Sequence, residues 1–237
     1  MMANKNERPI PGCKVMSKDS FWTLVEEVKN ACGQDQEKYM DMLKARLKEQ
    51  GAEYAQDFHN IVHAYKDLAY KYGLWSACGL MGHATDDGFI DFRAWLISQG
   101  KEAYFAALKD PDSLADLDSG DGFWFESFSY AGYYVIEELT GENAYDNMNQ
   151  GDIDRMTEDL KADIEYGAGI NYPYELPEML KKFPRLFQKN VVEASQKTLE
   201  PMCFRIRTWN YNDPAIVEAR QAELSPKPQN TMEMGGM

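Results

Sequence analysis

Between Thr85 and Gly100 the chain reads Thr-Asp-Asp-Gly-Phe-Ile-Asp-Phe-Arg-Ala-Trp-Leu-Ile-Ser-Gln-Gly. This segment holds more acid, aromatic and Arg than a packing helix needs. On a helix, Phe89, Phe92 and Leu96 share one face, which is expected to enter the core. Asp86, Ile90 and Arg93 follow a second face, and Asp87, Asp91 and Trp95 a third. Two carboxylates at i, i+4 repel by a few tenths of a kcal/mol on an exposed helix. Asp87 or Asp91 therefore calls for a cation or an N–H elsewhere. Arg93, at i+2 from Asp91, points away from it. Its expected partner is Asp86, two turns back, or a carboxylate on another helix such as Glu126.

Two readings of this segment stand side by side. In the first, Asp86 and Asp87 complement the helix dipole, Arg93 clamps one helix to another and Trp95 is core. In the second, Trp75, Asp86, Asp87, Asp91, Arg93, Trp95 and Glu126 line a pocket for a polar ligand or a basic side chain. Adjacent carboxylates there would run acid/base chemistry only if their surroundings split their pKa values.

Other constellations carry less. His59 and His63 have the i, i+4 spacing of metal ligands, but Asn60-Ile61-Val62 between them lacks the Glu of H-E-x-x-H. They read as polar-face or core histidines, and His83 as a turn residue. Asp110, Asp112, Asp116, Asp118 and Asp121 do not fit the EF-hand register and read as a solvated loop. Cys13, Cys32, Cys78 and Cys203 show no zinc-type spacing. No Gly-rich phosphate loop and no G-x-S-x-G nucleophile elbow is present. No metal or cofactor is expected.

The elements that must position these residues are helices. Phe21, Leu24, Val25, Val28 and Cys32 recur at helical spacing, with Ser17 or Asp19 as N-cap and Gly33 as stop. Asp35 to Gln50 forms a second helix. Tyr54 through Tyr72 form a continuous apolar stripe ending at Gly73. Leu74 to Met81 is a short buried helix rich in small residues. Thr85 caps the segment described above, and Gly100 ends it. Lys101 to Lys109 stops at Asp110-Pro111. Trp124, Phe128, Ala131, Val135 and Leu139 mark a further helix, and Ile153, Met156, Leu160 and Ile164 another. Strand-like alternation is almost absent. The expected fold is all-α: a single globular multi-helix bundle with a Pro-containing, partly irregular C-terminal extension.

The 237 residues are 44% hydrophobic and 13% aromatic, a globular composition. Asp plus Glu number 39 against 25 Lys plus Arg, a formal net charge of −14. Such a surface repels phosphate backbones and anionic lipid, so neither nucleic acid nor membrane is an expected partner. A basic protein partner or a small polar ligand suits it. The N-terminus has no apolar run of a signal peptide, and no stretch approaches the roughly 20 apolar residues that span a bilayer. Scattered cysteines agree with a reducing cytoplasm. The expected organisation is a flexible arm (1–16), a helical domain (17–166), a basic extension packed on the acidic body (167–224) and a disordered tail (225–237).

Three stretches together resemble a known family. Phe21-Trp22-Thr23-Leu24-Val25 comes first, then Leu74-Trp75 with its small residues. The third is Asp86-Asp87-Gly88-Phe89-x-Asp91-Phe92-Arg93-x-Trp95-Leu96-Ile97-x-x-Gly100. Pro111-Asp112-Ser113-Leu114 and Glu126 continue the match. Over roughly 17–141 the chain is similar to the bacterial domain-of-unknown-function family 4240, with Val25 for Ile and Thr85 for Ser at the N-cap. The resemblance implies a bacterial, cytoplasmic protein and supplies no reaction. Function is expected to be that of a non-enzymatic binding or interaction module, regulatory or immunity-like. The alternative is a carboxylate-dependent enzyme, by general acid/base or metal-assisted hydrolysis, using Asp87, Asp91, Glu126 and Arg93.

Overall fold

The computed structural model describes residues 7–82, 85–118, 122–171 and 181–193, with side chains as far as 190. The chain is all-α: no strand occurs among the described residues, only an isolated bridge between Pro9 and Ser17. Six helices come first: α1 (Lys18–Cys32), α2 (Gln36–Gln50), α3 (Ala52–Leu68), α4 (Tyr72–Leu80), α5 (Asp86–Ser98) and α6 (Lys101–Lys109). Two 3₁₀ turns follow (Pro111–Asp116 and Glu126–Tyr130), then α7 (Ala131–Thr140), α8 (Gln150–Lys161) and the short α9 (Pro184–Phe187).

The caps are those the residues dictate. Ser17 and Ser20 form a reciprocal capping box at α1, and Asp35, Thr85 and Asn149 accept N–H groups at the starts of α2, α5 and α8. Gly141, in the left-handed region, ends α7.

Helix α3 is the central element. It is buried on nearly every side and packs against α2, α5, α8 and, most extensively, α7. An all-round buried helix needs partners on all faces. Phe21 and Trp22 of α1, Phe58 and Tyr65 of α3, and Tyr104 of α6 form one aromatic cluster with ring centroids 5.0–5.6 Å apart. The Trp22 indole N–H donates to the Tyr65 hydroxyl at 3.1 Å, so the buried polar tips satisfy each other.

Two boundaries differ from the sequence reading. The stripe from Tyr54 to Tyr72 is two helices, because α3 ends at Leu68 and α4 begins at Tyr72. Gly73 is not a stop: its N–H donates to Ile170 O at 2.6 Å, and a Cβ there would sit 2.5 Å from the same oxygen. The helix expected from Trp124 starts later, as a 3₁₀ turn at Glu126 running into α7, and leaves Trp124 exposed.

The described parts of both flanks are tied to the body. In the stretch expected to be a flexible arm, Ile10 and Met16 are buried. Asp57 of α3, itself buried, accepts the N–H groups of Lys14, Val15 and Met16 at 3.0, 2.7 and 2.9 Å. In the basic extension, Asp112 accepts the N–H groups of Arg185 and Leu186 at 3.1 and 2.9 Å. The Arg185 guanidinium pairs with Asp116, and Phe183, Leu186 and Phe187 are buried. The aspartates read as a solvated loop thus include the clamp for α9. The expected tail, 225–237, lies outside the described residues.

Of the three bonds to this carboxylate, the one from the Met16 N–H is buried, and those from Lys14 and Val15 are only partly so. Asp57→Ala is expected to lower unfolding free energy by roughly 1–3 kcal/mol, the cost of the one buried amide left unmatched. Amide hydrogen exchange of residues 14–16 should rise by more than the global loss. Unchanged protection there would contradict the anchoring role.

Candidate functional site

The segment from Thr85 is a capped helix, as its residues demand. Thr85 Oγ1 accepts the Gly88 N–H at 3.1 Å, and Asp86 and Asp87 lie exposed in the first turn, where the dipole favours them. Phe89, Phe92 and Leu96 enter the core. Gly100 has φ +93, and a Cβ on it would meet the Glu26 carboxylate at 2.1 Å. That carboxylate caps α6 instead, accepting the Lys101 N–H at 2.9 Å.

Arg93 is only 5% exposed, and among the described residues it pairs with no carboxylate. It does not reach Asp86 or Glu126. Its Nη1 donates to Lys66 O at 2.7 Å and its Nε to Phe89 O at 3.3 Å, while the guanidinium lies 4.9 Å from the ring centroids of both Tyr70 and Phe89. Lys66 O belongs to the last turn of α3, where carbonyls have no partner within the helix and carry partial negative charge. The Tyr104 hydroxyl takes Tyr65 O at 2.7 Å, and the Tyr166 hydroxyl takes Leu68 O at 3.0 Å. Arg93 is thus one of three side chains that close the buried end of α3.

The remaining expected site residues are divided. Trp95 is 1% exposed, packed at 5.6 Å on Phe92 and edge-on at 5.1 Å to Phe123. Trp75 is half-buried, stacked on Phe89 at 5.1 Å and 5°. Asp91 and Glu126 do come together, through a bond from Phe125 N–H to Asp91 O at 3.3 Å. Burial, and then the Glu126 charge, push the Asp91 carboxyl above its ordinary range, with Lys66 acting in the opposite direction. Lys66 is buried and donates to Ser129 Oγ at 2.9 Å. Burial, and then Arg93, push its ammonium down. The Trp95 indole and the Arg93 guanidinium are therefore buried, apart from the exposed Asp86 and Asp87.

An open groove of about 930 Å³ lies elsewhere, between α1 and α6. Asp19, Glu26, Glu27 and Glu102 line it together with Lys101, Phe105 and the buried Trp22. Sequence reasoning missed it, although a signal was present. Asp19, Thr23, Glu26, Glu27 and Asn30 recur at i, i+4, i+7, i+8 and i+11 along the polar face of α1.

His59 is fully buried and His63 half-buried on α3, with ring centroids 4.5 Å apart. Burial first, and then neighbouring charge, lower His59 to about 3 and His63 to about 4 from 6.5. His83 lies outside the described residues. Both described imidazoles are neutral in the fold near neutral pH, whereas the unfolded chain binds their protons as pH falls through 6.5. Their contribution to stability is complete above that value and is lost on acidification. The urea midpoint should fall between pH ~7.5 and ~5, and His59→Gln/His63→Gln should flatten that fall. Equal slopes for the two chains would contradict this.

None of the described helices is long and apolar enough to cross a membrane. Comparison with curated proteins and with solved structures returned no match for this chain. The family model described as protein of unknown function (DUF4240) matches residues 16–146. That span runs from buried Met16 through α7 and includes Asp57, Arg93, Tyr104 and the α1–α6 groove. With more than half its length matched, the chain belongs to the DUF4240 family of proteins of unknown function.

Proposed function

We propose that this protein is a non-enzymatic helical binding module, of a regulatory or immunity-like kind, that receives a basic segment of a partner protein in the groove between α1 and α6. The observation that carries the reading is the make-up of that groove: acids beside an aromatic floor. Glu26 is committed to the start of α6, but Asp19, Glu27 and Glu102 form no ion pair among the described residues. Single surface charges are worth little in water, yet several of one sign beside a low-dielectric floor focus the field. A Lys or Arg guest would meet carboxylates with its charged head and lay its apolar stem on the ring surface. The formal charge of −14 adds long-range attraction for such a guest. A reducing cytoplasmic setting, as the scattered cysteines suggest, fits this role.

One observation favours the enzyme alternative. Asp91 and Glu126 are neighbouring carboxylates, and the Asp91 pKa is raised, as a general acid requires. That reading gave Arg93 the task of holding an anionic group, whereas Arg93 is occupied by backbone carbonyls.

A fluorescent Lys/Arg-rich peptide titrated against the full chain should bind saturably and weaken as salt rises. Glu27→Lys/Glu102→Lys should weaken binding about tenfold or more, that is 1.4 kcal/mol. Glu137→Lys, on the exposed face of α7, should leave it unchanged. Equal loss from both variants would reduce the effect to net charge, and no loss from the groove variant would overturn the proposal.

A further inference from the structure

Every buried side-chain nitrogen or oxygen without a hydrogen-bond partner among the described residues lies in one place. The atoms are Gln56 Oε1, His59 Nδ1, His59 Nε2 and His63 Nε2. The three residues stand at i, i+3 and i+7, so they share one face of α3. Leaving such atoms unmatched is costly, and a cluster of them marks a place where water or an ion completes the bonding.

The geometry narrows what that ligand is. Gln56 Nε2 donates to Asn60 Oδ1 at 2.9 Å and to Ala144 O at 3.1 Å, which leaves the amide oxygen as the unused donor atom. The His59 and His63 rings are 4.5 Å apart at 61°. With metal–nitrogen bonds of about 2.0–2.1 Å and near-tetrahedral angles, two ligating imidazoles have centroids about 5 Å apart. Tyr145, 41% exposed, stands edge-on to both rings at 4.8 and 5.5 Å and covers them from the stretch between α7 and α8.

We propose that His59 and His63, with the Gln56 amide oxygen as a third donor, bind a late first-row divalent ion, zinc foremost. Two imidazoles and an oxygen suit zinc, nickel or copper and not magnesium or calcium. Both rings are neutral in the fold, the form that ligates, so the ion displaces no proton at neutral pH. Lys66, one turn beyond His63, donates to Ser129 Oγ at 2.9 Å. No third His, Cys or carboxylate completes the set among the described residues, so the remaining positions fall to water. This departs from the sequence expectation of no metal, and it stands independently of the α1–α6 groove.

The full chain has three histidines, so its NMR spectrum has three imidazole Hε1 signals. His83→Gln removes one and so assigns it, which identifies the other two as His59 and His63. One equivalent of zinc should shift the His59 and His63 signals and leave the His83 signal in place. His63→Gln should weaken zinc binding about tenfold or more. If that variant fails to fold, the wild-type spectrum decides alone. Unmoved His59 and His63 signals in a large excess of zinc, or three signals moving in parallel, would overturn the proposal.

Discussion

A helix that ends inside a protein leaves carbonyl oxygens that neither its own backbone nor water can satisfy. Helix α3 ends that way at the buried Lys66 and Leu68, whereas the buried Tyr65 still has its carbonyl bonded by the Ala69 N–H at 3.0 Å. Their carbonyls receive the Tyr104 hydroxyl, the Arg93 guanidinium and the Tyr166 hydroxyl. One donor comes from α5, one from α6 and one from the chain beyond α8. The direction and depth of the central helix are thereby fixed by three distant parts of the sequence. The positive charge among the three donors sits where the helix dipole is most favourable to it.

This constraint accounts for the chemistry carried by the segment from Thr85 to Gly100. Its arginine is a helix-to-helix clamp, its first two aspartates serve the N-terminus of α5, and its tryptophan fills the core. The two places proposed for binding are ones that the clamp leaves free. One is the acid-rimmed groove on α1 and α6, whose wall is built on the same Gly100 turn that ends α5. Another is the far stretch of α3, where polar groups are buried under Tyr145 with too few partners.

Much of the fold was legible in the residues. Helical spacing, Ser17, Asp35 and Thr85 as caps, and Gly141 as a terminator all report local physics, and local physics survives packing. The break between Tyr65 and Leu74 was not legible, because apolar spacing continues through it and only the contact of Gly73 with Ile170 explains the glycine. Nor was the partner of Arg93: a guanidinium in a sequence suggests a carboxylate, and nothing local announces a carbonyl on another helix. The grip of Asp57 on residues 14–16 is hidden for the same reason, since its acceptors' partners lie about 40 residues away. The acidic face of α1 was written plainly at i, i+7 and i+8, but an acidic helix face is ordinary until α6 is seen to form the opposite wall.

The central claim, that Arg93 closes the end of α3 and is not a ligand-facing group, is tested most directly by proton exchange at its Nε–H. In a ¹⁵N-resolved spectrum the Arg93 Nε–H should exchange with water far more slowly than that of Arg46, whose side chain is 51% exposed. Exchange at Arg93 as fast as at Arg46 would show that solvent reaches the guanidinium, and would restore the pocket that the buried clamp excludes.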